Sequence, residues 1–561
     1  MPDYLEMIKE QNDNVLNDLH KRMDDDAGLL KLSDYVMKDT RGRLVPDIVN
    51  VTLDRPRLIA EHIIAALGKA KQQVVVESED KKVDTAYIES FQKAMFAMAD
   101  ARLRRQGQWQ LNPYADEQLS IRGRAVRRIL VREENGVLIP DIVPWDARYV
   151  TYEMGEEGLA WGAYQGKRLK AAIESEAWAI EKKFVLNKKD AIVTDVWDTE
   201  GNYVYVDKEV VWEEKHLWDF CPVVVEVVSL GSMLADEDAL QYGGESVFFL
   251  IRKAIPELQR LISIMQTLNL LTLKAPIQEA TKEGMQAGEY ADRMRMGAST
   301  PVQIGGGITR IDFGDVKRAA QMALSIIEKA MQEGGLTSVD LGNLQFELSA
   351  IALIQIGESR FQVLEPRWNA KGWLNQQTAE MFTRQVIQIG HSVEIGTLGH
   401  KRTFEVGKLE GEYETRYSYV PVDPALDVAR YTTAAAAREW LDDESILEKI
   451  IRDEDPAGTI KRRYYDMAEK ISPTVLRTRV IRSLIERAED GDEHASYEAE
   501  VMALEVGMSI EQIKQGNVPQ LPAGNGKNQE GLMQLFQSGG RPSSAKRAAQ
   551  LQGQPREETE E

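Results

Sequence analysis

ESVFFLIRKAIPELQRLISIMQTLNLL, residues 245–271, decides how this chain is read. Val247, Leu250, Ile251, Ala254, Leu258, Leu261, Ile262, Met265 and Leu268 follow the i, i+3, i+4, i+7 spacing of one buried helical stripe. Phe248, Phe249, Ile255, Ile264 and Leu270 lie off it, so such a helix needs cover on several sides. Pro256 removes one backbone hydrogen bond and is expected to kink or divide the segment. At 1.5 Å per residue the two parts together reach about 40 Å, long for a helix inside a compact domain. The expectation is a helix that packs against copies of itself; a helical hairpin in an α+β core with a long surface loop is the alternative.

A second helix is expected from about Asp315, with Val316, Ala319, Ala320, Ala323, Ile326, Ile327 and Ala330 on its apolar face, ending at Gly334-Gly335. Residues 274–313 between the helices read as an excursion. They hold Pro276, a charged run over 279–295, and short β-like pieces at 302–304 and 308–311 around Gly305-Gly306-Gly307.

The full chain of 561 residues has room for a large core in several subdomains. Its 43% hydrophobic and 28% charged residues are those of a soluble globular protein, and no apolar run approaches the length of a bilayer span. The start lacks a basic region followed by an apolar core, so secretion is not expected. The single cysteine, Cys221, lies in the apolar run 220–228 and reads as a packed strand residue of a protein that folds in a reducing cytoplasm. A formal net charge of -21 argues against a surface that grips nucleic acid throughout, because such binding is driven by Lys and Arg displacing counterions. It leaves open a protein that surrounds DNA without holding it, and solubility alone also explains it.

Four regions follow. Residues up to about 240 mix helices at 54–67 and 86–105 with strands at 126–132, 137–142, 160–164, 191–198 and 203–206. The helix-bracketed excursion comes next. Residues 344–389 are again helical, broken at Pro366, and lead to a strand at 413–420; residues 424–507 are wholly helical. The end of the chain is rich in Gln, Gly, Pro, Ser and charge and reads as disordered.

No catalytic constellation emerges. His20, His62, His216, His391, His400 and His494 are scattered without ligand spacing, so neither a metal nor a cofactor is expected. Gly166-Lys167-Arg168 and Gly526-Lys527-Asn528 lack the spacing and the Ser/Thr of a phosphate-binding loop. Arg102, Arg104, Arg105, Arg122, Arg124, Arg127 and Arg128 form the notable cationic cluster, suited either to phosphates or to acids of a neighbouring subunit.

Laid side by side, these segments resemble the portal proteins of tailed bacteriophages. Asp54-Arg55-Pro56 leading into Ile59-Ala60-Glu61-His62-Ile63-Ile64 looks like the helix that opens the portal wing. Glu117 to Val126, running on through Ile139-Pro140-Asp141-Ile142-Val143-Pro144-Trp145-Asp146, is similar to the family's helix, strand and Pro-containing strand end. The two helices around 274–313 match stem helices and a clip.

The resemblance implies an α+β portal fold assembled as a ring of about twelve subunits. Its parts would be a wing (1–241 and 348–423), stem helices (242–273 and 314–334), a clip (274–313), a tunnel loop (335–347), a helical crown (424–510) and a disordered tail (511–561). Leu250, Ile251, Leu258, Leu261, Ile262, Met265, Ile326 and Ile327 would pack the stem. Glu279, Lys282, Glu283, Arg293 and Arg295 of the clip would face the terminase large subunit and then the head-to-tail adaptors. Thr337, Ser338, Asp340, Asn343 and Gln345 would face double-stranded DNA without sequence preference. The implied protein is a non-enzymatic DNA channel of the virion, assembled in the host cytoplasm with capsid and scaffolding proteins and without a membrane. A carboxylate-based hydrolase and a scaffold or internal head protein remain the alternatives.

Overall fold

The structure, a computed structural model, describes residues 3–80, 82–134, 137–156, 158–216, 218–234, 239–273, 277–281, 299–303, 321–327, 329, 350–397, 400–420, 424–451, 453, 456–489, 493–506 and 509–514. It mixes helices and strands and divides into two units, residues 1–429 and 430–561.

The first unit is built on β2 (Arg124–Glu134) and β3 (Val137–Trp145), an antiparallel hairpin from Val126 opposite Trp145 to Glu134 opposite Val137. Strand β9 (Val223–Val227) adds to the free edge of β2, and the hairpin of β12 (Val393–Thr397) and β13 (His400–Phe404) joins β3, giving the order β13-β12-β3-β2-β9. Alternation on β2 sorts its faces. Ala125, Ile129 and Val131 join Phe91, Met95 and Leu103 of α4 (Thr85–Arg105) and Leu374, Phe382 and Val386 of α9 (Ala350–Ile389) in the largest core. Val126 and Leu130 face Leu19 and Met23 of α2 (Asn17–Leu30).

A second sheet is an antiparallel meander, β4 (Val150–Gly155), β5 (Gly158–Leu169), β6 (Asp190–Asp198), β7 (Gly201–Val206) and β8 (Glu209–Lys215). Tyr4 and Ile8 of α1 (Tyr4–Asn14) pack on one face with Trp161, Val196 and Tyr203. Ile173 of α6 (Lys170–Glu174) and Trp178 of α7 (Ala177–Lys182) pack with Val193, Val204 and Val206. Strand β1 (Lys71–Glu77), which follows α3 (Arg55–Lys69), pairs antiparallel with β14 (Glu414–Val420). Helix α9 crosses β14 at Gly372, where a Cβ would lie 2.4 Å from the carbonyl oxygen of Tyr417.

Two helix expectations are corrected. Residues 247–253 form turns, and the helix, α8 (Ala254–Leu273), begins only at Ala254; its 20 residues span about 30 Å, not 40 Å. Pro256 falls in the first turn, where no intrahelical donor is needed, so it starts the helix instead of kinking it. Pro366, expected to break a helix, lies within the 40-residue α9. Pro366 has no N–H to offer the Gln362 carbonyl one turn back, and in that same turn Arg367 Nη1 donates to the neighbouring Val363 carbonyl at 3.0 Å. Arg367 is buried with no carboxylate paired to it among the described residues, and burial lowers its pKa to about 10.

The excursion contains β10 (Ile277–Thr281), paired in parallel with β11 (Ser299–Gln303). Strand β11 overlaps the expected 302–304 piece, whereas β10 was not anticipated. Residues 321–327 of the second expected helix are helical.

In the second unit α10 (Pro424–Ala437) leads in, followed by α11 (Asp443–Ile446), α12 (Pro456–Ile471), α13 (Pro473–Glu489), α14 (Glu493–Val506) and α15 (Ile510–Lys514). Pro456 and Pro473 stand at first helical positions, where the missing N–H costs nothing. Ile481 and Ile485 of α13 meet Ala499 and Ala503 of α14. Ile513 is buried in the same cluster, so the expected disordered tail does not begin at 511: α15 still belongs to the bundle.

Candidate functional site

The segment leading into α8 is locked to α2 by a buried ion network. Asp26 accepts two hydrogen bonds from Arg252, Nε at 2.7 Å and Nη2 at 2.9 Å, while the same Nη2 reaches Glu245 Oε2 at 2.6 Å. Asp26 and Glu245 are fully buried. Arg22 completes the network 3.6 Å from Glu245 and donates to the carbonyls of Arg122, Gln241, Gly243 and Gly244. Two arginines therefore balance two carboxylates, and the spare guanidinium protons hold the backbone of 241–244 in place. Gly123 and Gly244 both have positive φ; a Cβ on Gly123 would stand 1.6 Å from the Gly244 carbonyl oxygen, so only glycine permits the approach.

Beyond this anchor, α8 buries an unexpected face. The polar series Gln259, Ser263 and Thr267, spaced at i, i+4, i+8, is buried. Ser263 Oγ accepts from Val51 N at 2.9 Å and Thr267 Oγ1 from Val49 N at 3.0 Å, binding residues 49–51 along the helix as a strap. Each hydroxyl in turn donates to the carbonyl four residues back. The apolar side chains divide along the segment. Ile251, Ile255 and Leu258 are buried with Phe248, Ile63, Leu364 and Trp368. Leu261, Ile262, Ile264, Met265 and Leu268 are only half-buried. In residues 321–327, Leu324 and Ile327 pack against the same cluster. Phe249, Leu250, Met322 and Ile326 stay 43%, 66%, 61% and 65% exposed.

Of the expected stem residues, Ile251 and Leu258 are thus core of this chain, Leu261, Ile262, Met265 and Ile327 are partly covered, and Leu250 and Ile326 face outward. Glu279 lies in β10. Lys282, Glu283, Arg293 and Arg295 of the clip, and Thr337, Ser338, Asp340, Asn343 and Gln345 of the tunnel loop, lie outside the described residues.

Within the arginine cluster, several members bind within the chain instead of awaiting phosphate or a neighbour's acids. Arg122 makes a bidentate pair with Asp146 at 3.1 Å. Arg128 reaches Asp141 at 2.8 Å and Asp195 at 3.4 Å, and Arg102 lies 3.3 Å from Asp141. Arg124 donates to the Tyr152 hydroxyl. Arg127 is buried and donates to Asn375 Oδ1 at 2.6 Å and to the Leu111 carbonyl at 3.2 Å; burial lowers its pKa to about 10. Arg104 and Arg105, at the end of α4, are exposed.

A cavity of about 250 Å³ opens between α3, β1, α9, β14 and α5 (Leu111–Ile121), lined by Gln72, Asn112, Asp116, Lys371 and Tyr419 among others. Lys371 Nζ stands 2.7 Å from Asp116 Oδ1 and 4.5 Å from the centre of the Tyr419 ring. Burial raises the Asp116 pKa and lowers that of Lys371, while their mutual attraction opposes both shifts. Lys371 donates to Asp116 Oδ2 at 2.9 Å, Asp116 Oδ1 has no hydrogen-bond partner among the described residues, and Gln72 Oε1 accepts from Asn112 and from the Tyr419 hydroxyl, each at 3.1 Å.

Cys221 is buried, its Sγ donating to the Trp197 carbonyl at 3.3 Å, and burial pushes the thiol up to about 12. Among the described residues no group of three or more His, Cys, Asp or Glu is arranged to hold a metal, and no helix is long and apolar enough to cross a membrane. The anchor and strap were missed from sequence because Arg22, Asp26 and residues 49–51 lie more than 200 positions from their partners; Gln259, Ser263 and Thr267 at one-turn spacing on an otherwise apolar helix were the available signal. The chain matches no protein-family model, and no curated protein is significantly similar to it.

Proposed function

We propose that this chain is the subunit of a phage portal: a closed ring at the capsid vertex through which double-stranded DNA is packaged and ejected, itself without catalysis. One observation carries the reading. Helix α8 buries two hydroxyls and an amide within the chain, yet Phe249 and Leu250 in the turns before it and Met322 and Ile326 in residues 321–327 stay in water. Large apolar side chains left uncovered on two segments that pack into the same cluster support a contact with another chain. A heterologous contact that closes covers them in every copy.

The remaining support is the order of elements. Wing-like sheets lead through a rigid anchor at Arg22, Asp26, Glu245 and Arg252 into a helix, a short β-excursion, a second helical segment, a long helix and a terminal helical unit. The anchor would hold the start of α8 rigid while load passes along the ring wall. DNA contact through residues 335–347, and motor and adaptor contact through the clip, rest on sequence alone. The acidic surplus favours sliding over tight phosphate binding. Negative-stain images of the purified chain test the reading: rings with a central hole support it, solid or shell-like particles favour a scaffold protein, and dispersed monomers at micromolar concentration overturn it.

A further inference from the structure

The terminal helical unit carries two outward apolar stripes whose rims have opposite charge. On α12, Tyr464, Met467 and Ile471 are exposed at helical spacing. At 100° per residue, Arg463 and Lys470 border this stripe on one side and Lys461 on the other, while Asp466 points away. Lys461, Arg463 and Lys470 are exposed, and Arg463 also pairs with Asp443 at 3.0 Å.

On α14 the inward face is Ala495, Ala499 and Ala503; the last two pack on Ile481 and Ile485 of α13. The outward face presents Tyr497, Val501 and Leu504, all exposed. Glu498 and Glu505 border it on one side and Glu500 on the other, all three exposed. Both α12 and α14 pack on α13, and both outward stripes stay open.

We infer that α12 of one copy of this chain docks on α14 of the next, head to tail, with the apolar stripes in contact and the basic rim of α12 against the acidic rim of α14. The occupant of each stripe is a second copy because each carries the shape and charge the other lacks: three apolar side chains on one helix face, bordered by cations in one case and by carboxylates in the other. Two α12 stripes facing each other would bring like charges together, as would two α14 stripes, so the rims select the heterologous pairing. Such a contact repeats from copy to copy and closes if the rotation allows. The inference rests on the ring reading for closure and extends it by assigning a specific contact to the terminal unit.

The test uses two full-length variants, Lys461→Glu with Lys470→Glu, and Glu500→Lys with Glu505→Lys, each checked for native helix content by circular dichroism. Sedimentation velocity then measures the concentration at half-assembly. Each variant alone places like charges across the contact and is expected to need at least a tenfold higher concentration than the unaltered chain. An equimolar mixture restores assembly, because the acidic α12 of the first meets the basic α14 of the second and the reverse holds at the next contact. If the unaltered chain assembles and both variants match it, the contact is elsewhere: the inference falls and the ring reading stands. If both variants fail and mixing does not restore assembly, the head-to-tail pairing is wrong. If the unaltered chain never assembles, both fall together.

Discussion

The sheet of the first unit and the C-terminal half of α8 have comparable shares of apolar residues and opposite fates. On β2, side chains on both faces find complete cover within the chain: Ile129 and Val131 under α4 and α9, Val126 and Leu130 under α2. On α8 beyond Leu258, the buried residues among those described are Gln259, Ser263 and Thr267, while Leu261, Ile264, Met265 and Leu268 are left half in water. Hydroxyls hidden while leucines show is the pattern that the proposed ring accounts for, with a neighbouring copy covering the leucines. In the proposed ring, the sheet specifies one subunit and the helix how subunits meet.

That contrast is broken most strongly at the join between the two regions. Asp26→Ala leaves the buried Arg22 and the partly buried Arg252 with one carboxylate between them, and removal of one partner from a buried ion network costs about 3–5 kcal/mol. Urea denaturation of the first unit checks this; a loss under about 1 kcal/mol would show that the anchor is not rigid.

The sheet offers a pH test. Glu226 on β9 is pushed up to about 7 by burial, with Gln377 of α9 donating to it at 3.1 Å. The folded chain holds this proton more tightly than the unfolded chain, whose carboxyl titrates near 4.5, so stability falls as pH rises through the interval between them. Glu226→Gln is expected to remove that slope and to stabilise by on the order of 2–3 kcal/mol at pH 8 relative to pH 4. Paired denaturation curves at the two pH values measure it; an unchanged slope assigns the proton to another group.

Smaller effects separate the strap from the outward face. Ser263→Ala removes the acceptor for Val51 N and costs about 1 kcal/mol, with faster amide exchange at Val51 as its signature. Leu250→Asp and Ile326→Asp, at exposed positions, change subunit stability by less than about 0.5 kcal/mol. Their effect on assembly is expected to be large, and that disparity sharpens the comparison.

Legibility in the sequence follows the same division. Helices α3 and α4 and the β2–β3 hairpin were readable because period and burial agree there: Ile59, Ile63 and Leu67 lie on one face, and the residues of β2 alternate. Reading failed where a tertiary contact overrides local pattern. Residues 247–253 carry a helical spacing yet turn, because Arg252 is drawn to Asp26 and Glu245 while Phe248 and Ile251 insert into the core. The arginine cluster was visible, but its partners Asp141, Asp146 and Asp195 come from other strands and turns and only the fold brings them near. Ile277 to Thr281 has no alternation to mark it, since its strand partner lies across a long insert. The apolar positions of 247–268 were legible from their spacing, but that period could not say which of them this chain covers itself.

The most direct measurement is the mass of the assembled protein in solution. Sedimentation velocity at micromolar concentration and physiological salt is predicted to give a single large species near 760 kDa, about twelve chains of 63.3 kDa, for the unaltered protein. The Leu250→Asp/Ile326→Asp double variant is predicted to sediment as a folded monomer. An unaltered protein that remains monomeric, or a double variant that assembles as fully as the unaltered chain, would contradict the claim that the outward side chains of the turns before α8 and of residues 321–327 are the subunit contact.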